Sequence, residues 1–227
     1  MLRELCGGIY SHPIYSKEGG WPPSIEKYIA EKSKKEGYPN SRLPAFTEEE
    51  RKLVQGSYDF YGLNHYTSRV ARMAKPGEVL SPWPLGDAPE LDAKLDVKPE
   101  WPRGSSVWFA VYPEGIRYTL AWLKKQYGDV KILITENGYS AKDESFNDLD
   151  RVHYLKDYMK QVMLAIKEDG VNVVGYTAWA LLDNFEWLDG YTVSFGLYNV
   201  DFNDPARTRM ARASARYYAS VIQQRSL

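Results

Sequence analysis

The chain has 227 residues, 44% hydrophobic and 26% charged, which supplies apolar material for one globular core. Its 29 Lys and Arg against 30 Asp and Glu leave a formal net charge of −1, with no basic stripe, so a nucleic-acid partner is not expected. No apolar stretch approaches the roughly 20 residues that span a bilayer, so membrane insertion is not expected either. The single cysteine, Cys6, excludes an intramolecular disulfide framework, and no Asn-X-Ser/Thr acceptor occurs. The opening Met1 to Gly8 has no apolar core of signal-peptide length, which carries no information if the chain is part of something longer, and the compartment stays open. Seven Trp and eighteen Tyr make the chain aromatic-rich, as stacking faces for flat ligands or as aromatic core.

Ser24 to Gly37 reads as a helix opened by Pro22-Pro23, and Thr47-Glu48-Glu49-Glu50 is a capping box for a second helix stopping at Gly56. Tyr58 to Tyr66 reads as a strand. Alternation sends Tyr58, Phe60, Gly62, Asn64 and Tyr66 to one side, and Asp59, Tyr61, Leu63 and His65 to the other. His65 on that second side reads as structural. The stretch Ala74 to Trp108, with Pro76, Pro82, Pro84, Pro89, Pro99 and Pro102, has no usable periodicity and is expected to be a long loop walling one end of the sheet.

Pro113 to Tyr127 predicts a helix with Ile116, Leu120, Leu123 and Tyr127 on one face and Gly128 as its cap. A strand over 130–136 follows. The next helix, Leu149 to Asp169, is expected to bury Val152, Leu155, Met159, Val162, Met163 and Ile166, with Gly170 after it. A last strand spans 171–180 and a final helix about Arg207 to Gln224. Three apolar strands each followed by a helix imply an α/β fold with a parallel sheet. Three such units cannot close a barrel, and an open sheet leaves two edges exposed to self-association.

The strand at Lys131 ends on a lone carboxylate, Glu136, and breaks at Gly138, which is how a β/α barrel presents a catalytic group. A carboxylate that attacks carbon must be ionised and held by donors; Asn137, Tyr66 and Asn64 are the polar groups at hand. An acid satisfied by nearby backbone N–H groups is the structural alternative. The last strand, 171–180, runs into Trp179, Glu186 and Trp187, with Phe195 beyond. Carboxylates for hydroxyl groups and aromatic faces for a ring suit a sugar; an aromatic corner with a surface acid is the alternative. No metal-ligand spacing, phosphate loop or Ser–His pairing occurs, so neither metal nor cofactor is expected.

At these residues the chain resembles glycoside hydrolase family 1, the β-glucosidase family. Ile134-Thr135-Glu136-Asn137-Gly138 is similar to its nucleophile signature, Gly175 to Tyr191 to its sugar-binding segment, and Asp59 to Ser68 to its sixth strand. Ser41 to Glu50 and the region of Pro13 look familial as well. The resemblance implies a partial TIM (β/α)8 barrel, about strands 6–8 with their helices, so that residues 1–227 form a single incomplete barrel domain. It implies hydrolysis of a β-glycoside with retained configuration. Glu136 would be the nucleophile and Tyr66 its hydrogen-bond partner, with Asn64, Trp179, Glu186, Trp187 and Phe195 binding substrate. No Lys or Arg occurs from Asp183 to Phe195, which favours a non-phosphorylated sugar. The chain departs from the family pattern in lacking the Asn-Glu-Pro motif that carries the acid/base. A chain that hydrolyses weakly or not at all alone, one that binds glycans or proteins without catalysis, and a half-barrel completed by another chain are the readings left open.

Overall fold

The computed structural model describes residues 1–83, 86–142 and 145–227; Pro84, counted above within the long loop, lies outside the described residues. In chain order the regular elements are α1 (Ile9–Tyr15), α2 (Pro23–Lys35), α3 (Glu48–Val54), β1 (Tyr61–Asn64), β2 (Val70–Met73), β3 (Ala93–Asp96), α4 (Glu114–Tyr127), β4 (Ile132–Asn137), α5 (Leu149–Lys167), β5 (Val173–Ala178), β6 (Tyr198–Val200), β7 (Arg209–Ala211) and α6 (Ala213–Gln224). They fall into two compact units. The first comprises residues 1–61, 71–95 and 123–130; the second comprises residues 62–70, 96–122 and 131–227.

In the first unit, α2 starts with proline in its first turn, where a missing N–H costs nothing, and buries Ile25 and Ile29. The capping box forms as read: Glu50 N donates to Thr47 Oγ1 at 3.2 Å and Thr47 N to Glu50 Oε2 at 2.9 Å. The stretch expected to be patternless carries β3, which pairs with β2, and a small core of Ala88, Leu91 and Ala93 packed by Leu2, Leu5 and Tyr28. Its organiser is a polar group that hydrophobic periodicity does not register. Asp87, 2% exposed, accepts from Ser81 N at 2.7 Å, Leu95 N at 2.8 Å and Lys94 Nζ at 2.9 Å. Burial pushes its carboxyl up, and these donors more than offset that, holding it at about 2.

The second unit is built on a three-stranded sheet in the order β1-β4-β5. β4 and β5 run parallel, with Ile132 opposite Val173 and Ile134 opposite Tyr176. Ile132 and Ile134 are buried, as are Ile116 and Leu120 of α4. β1 is shorter than the expected Tyr58–Tyr66, because Tyr58 N turns back to Gly56 O at 2.9 Å. The buried face of α5 is Arg151, Tyr154, Leu155, Tyr158, Met159, Val162 and Ala165, while Ile166 is 41% exposed against expectation. Polar and aromatic side chains with internal partners occupy the face that a purely apolar count assigns differently.

The final helix begins at Ala213, not near Arg207: residues 209–211 form β7, antiparallel to β6, with Asn199 opposite Met210. Asp201 and Asp204 close the intervening turn by accepting from Asn203 N and Ala206 N, each at 2.9 Å. Behind this hairpin Arg212, 1% exposed, grips Asp183 with two hydrogen bonds of 3.0 and 2.8 Å. Asp183 also accepts from Gly196 N at 2.9 Å, so one buried ion pair fixes the root of the segment after β5. Among the described residues no helix is long and apolar enough to cross a membrane.

Candidate active site

β4 delivers Glu136 to the end of a strand whose alternate residues Ile132 and Ile134 are locked in the core. There the Tyr66 hydroxyl donates to Glu136 Oε2 at 2.6 Å. Burial, followed by the hydrogen bond to Glu136 and the charges of Glu136 and Glu186, holds the Tyr66 phenol well above its ordinary range. It therefore stays a donor over the whole working pH range.

Tyr66 lies past the end of β1 and is positioned through its own backbone. Tyr154 Oη donates to Tyr66 O at 2.8 Å and accepts from Asn137 Nδ2 at 2.9 Å; Tyr158 Oη reaches the same carbonyl at 3.3 Å. The two α5 rings stack at 4.1 Å, and burial pushes the Tyr158 hydroxyl up to about 12. Asn137 also donates to His65 O at 2.6 Å and accepts from Tyr176 Oη at 2.5 Å. The pairing of β4 with β5 slips between Ile134 and Asn137, so Asn137 is fully buried like Ile134 and ties β4 to its neighbours, while Glu136 beside it is only half-buried. Asn64 accepts from Thr135 Oγ1 at 2.6 Å. Of the three groups expected to hold Glu136, Tyr66 alone does so directly.

Gly138 is required by a close approach: a Cβ there would stand 1.8 Å from Trp179 O, where Trp179 N donates to Asn137 O at 2.9 Å. This places Trp179 beside the strand end at residues 136–138, and its indole Nε1 donates to Glu186 Oε1 at 3.4 Å. Burial raises the Glu186 carboxyl, Trp179 and Asn184 oppose this, and the Asp189 and Glu136 charges add to it. Trp187 is 83% exposed on a loop closed by Glu186 N donating to Gly190 O at 2.7 Å. Phe195 is buried and meets the Tyr66 ring edge-on at 5.8 Å.

Sequence reading missed Trp108, whose ring stands perpendicular to Tyr66 at 6.1 Å, and the Tyr154–Tyr158 pair. Tyrosines four apart on the inner face of a helix were the available signal for the pair. For Trp108 nothing local distinguishes it. Among the described residues no group of three His, Cys, Asp or Glu is placed to hold a metal ion.

The sheet and this carboxylate corner define part of a (β/α) barrel of the glycoside hydrolase class. The chain belongs to glycosyl hydrolase family 1, whose sequence model matches residues 2–227. It is 43% identical to Myrosinase 1 of Brevicoryne brassicae over 216 residues, covering 95% of this chain and 45% of that protein. It is 38% identical to the cytosolic beta-glucosidase of Homo sapiens over 222 residues, covering 96% and 45% respectively. Among solved structures, aphid myrosinase superposes with a TM-score of 0.84 at 39% identity over 97% of this chain and 46% of that one. Beta-glucosidase 2 of Trichoderma reesei, solved with Tris, gives 0.80 at 34% identity over 99% and 47%. The chain thus spans about half the length of these relatives.

Proposed function

We propose that residues 1–227 are a single incomplete barrel domain carrying the nucleophile half of a β-glucosidase-type retaining hydrolase, acting on β-D-glucosides or related non-phosphorylated β-glycosides. The observation that carries this reading is the 2.6 Å hydrogen bond from Tyr66 to Glu136, which holds one carboxylate oxygen and leaves the other to attack. Glu186 accepts from sugar hydroxyls, Trp179 and Trp187 offer faces to the ring, Phe195 backs Tyr66, and Asn64 orients the rim. The lack of Lys and Arg from Asp183 to Phe195 supports a neutral sugar.

Retaining hydrolysis needs a second carboxyl about 5–5.5 Å from the nucleophile to protonate the leaving group. In this family that group sits in an Asn-Glu-Pro motif, which this sequence lacks, so the chain alone is slow on natural glycosides; acid assistance is worth about 10²–10⁴-fold. A dinitrophenyl leaving group departs without a proton. Incubation with 2,4-dinitrophenyl 2-deoxy-2-fluoro-β-glucoside should therefore leave a glycosyl ester on Glu136 by intact mass and peptide mapping, and none in Glu136→Gln. A folded chain that gives no adduct would sink the catalytic reading and leave a non-catalytic glycan or protein binder. A second reading, a half-barrel completed by another copy, is favoured by the outer positions of β1 and β5 and by Val174, 56% exposed on β5. Labelling per chain that does not rise with chain concentration would dispose of it.

A further inference from the structure

The β6–β7 hairpin borders a cavity of about 430 Å³ to which the proposed mechanism gives no task. It is lined by Tyr191, Asn199, Asp201, Phe202, Asn203 and Met210, among others. We propose that it is a second saccharide site, taking one uncharged hexose unit of an oligosaccharide. Its volume falls within the roughly 300–1,000 Å³ of small-molecule sites.

The apolar part is a pair of aromatic rings, Tyr191 and Phe202, with centroids 4.5 Å apart and planes at 54°. Phe185 meets Tyr191 edge-on at 5.7 Å, so three rings make one continuous surface. These rings are 61%, 38% and 58% exposed for Tyr191, Phe202 and Phe185. Solvated aromatic faces side by side gain most from an apolar face that carries polar edges, as a pyranose does. The polar part faces the same space. Asn199 and Asp201 alternate onto one side of the chain, and Met210, the cross-strand partner of Asn199, completes that wall. Asn199 Nδ2 donates to Asp183 at 3.3 Å, which leaves its carbonyl oxygen as an acceptor. Asp201 adds a carboxylate, and Asn203, exposed at the rim, adds an amide that both donates and accepts.

The site is held before any ligand arrives. Asp201 accepts from Asn203 N at 2.9 Å and Asp204 N at 3.3 Å, and Arg207 clamps the turn through Phe202 O and Asp204 O. The Arg212–Asp183 pair anchors the floor. Such preorganisation lowers the entropy lost on binding. Asp201 repels anions and the Arg207 guanidinium is engaged with carbonyls, which disfavours phosphorylated sugars. Carboxylate and amide groups around the rings disfavour an apolar protein segment.

The inference does not rest on Glu136 as a nucleophile, and its test is separate. Cellotetraose would be titrated into the Glu186→Gln chain and watched by two-dimensional amide NMR, so that the other sugar corner is impaired. Shifts should concentrate on residues 199–203 and 191, with affinity about tenfold weaker in Tyr191→Ala and in Asn203→Ala. Both residues are exposed, and unchanged amide spectra elsewhere would certify the fold. Shifts confined to residues 179–187, affinity unchanged in both variants, or no binding by Glu186→Gln would each overturn the proposal. Loss of the Glu136 adduct with these shifts intact would refute the nucleophile reading alone.

Discussion

Glu136 lies at the end of β4 and Glu186 on the loop after its parallel neighbour β5, so one is fixed by what lies beneath it and the other by what its loop can hold. Glu136 belongs to β4 itself, and its partner Tyr66 is aimed by the buried hydroxyl of Tyr154, which also reaches Asn137 next to Glu136. Carboxylate and donor are thus referenced to one atom. Glu186 lies on a loop whose tip, Trp187, is mostly solvated, and its hydrogen bond from the Trp179 indole is long at 3.4 Å. Its firm ground is three residues back, at Asp183 and Arg212. A strand end supplies a position; a loop must borrow one from an ion pair.

The sharpest way to break that contrast is to remove the borrowed anchor. Arg212→Leu leaves the Asp183 carboxylate buried without its cation and should destabilise the chain by about 3–5 kcal/mol in urea unfolding. Adding Asp183→Asn should recover part of this, and a double variant no better than the single would argue against the pair as the anchor.

A smaller effect tests the buried side of the strand-end corner. His65 Nδ1 is buried with no hydrogen-bond partner among the described residues, and burial lowers the imidazole from 6.5 to about 4. Between those values the unfolded chain takes up a proton that the folded chain refuses. Stability is therefore full above pH 6.5 and falls toward pH 4, by on the order of 3 kcal/mol. In His65→Leu the urea midpoint should vary less between pH 7 and pH 4.5 than in the parent. Parallel pH dependence in the two proteins would count against His65 as the source.

The smallest change is expected at the loop tip. Trp187→Ala removes a side chain 83% exposed and should move stability by no more than about 0.5 kcal/mol. The same substitution should weaken glucoside binding in a calorimetric titration, so that unaltered binding would strike Trp187 from the sugar contacts.

Local chemistry made much of this legible. The capping box at Thr47, the helix stops at Gly37, Gly56 and Gly128, and the carboxylate ending an apolar strand are all short-range signals. The β2–β3 and β6–β7 pairings were not legible, because one is organised by Asp87 and the other by aspartate-closed turns, polar devices without apolar period. Ile166 was misplaced because Arg151 and two tyrosines, each with internal partners, take the inner face of α5.

The sequence by itself determined a parallel α/β sheet and a carboxylate, Glu136, at the end of one of its apolar strands, since strand period and glycine breaks are properties of neighbouring residues. Tertiary structure alone decided that Tyr66 rather than Asn64 or Asn137 meets Glu136, that Trp179 reaches Glu186, and that Trp108 and Tyr154 belong to the same corner. Those contacts join residues 7 to 88 positions apart. Which of several competent side chains closes such a gap depends on the register of β4 against its neighbours and on the face α5 turns inward, and neither is a local property of the chain.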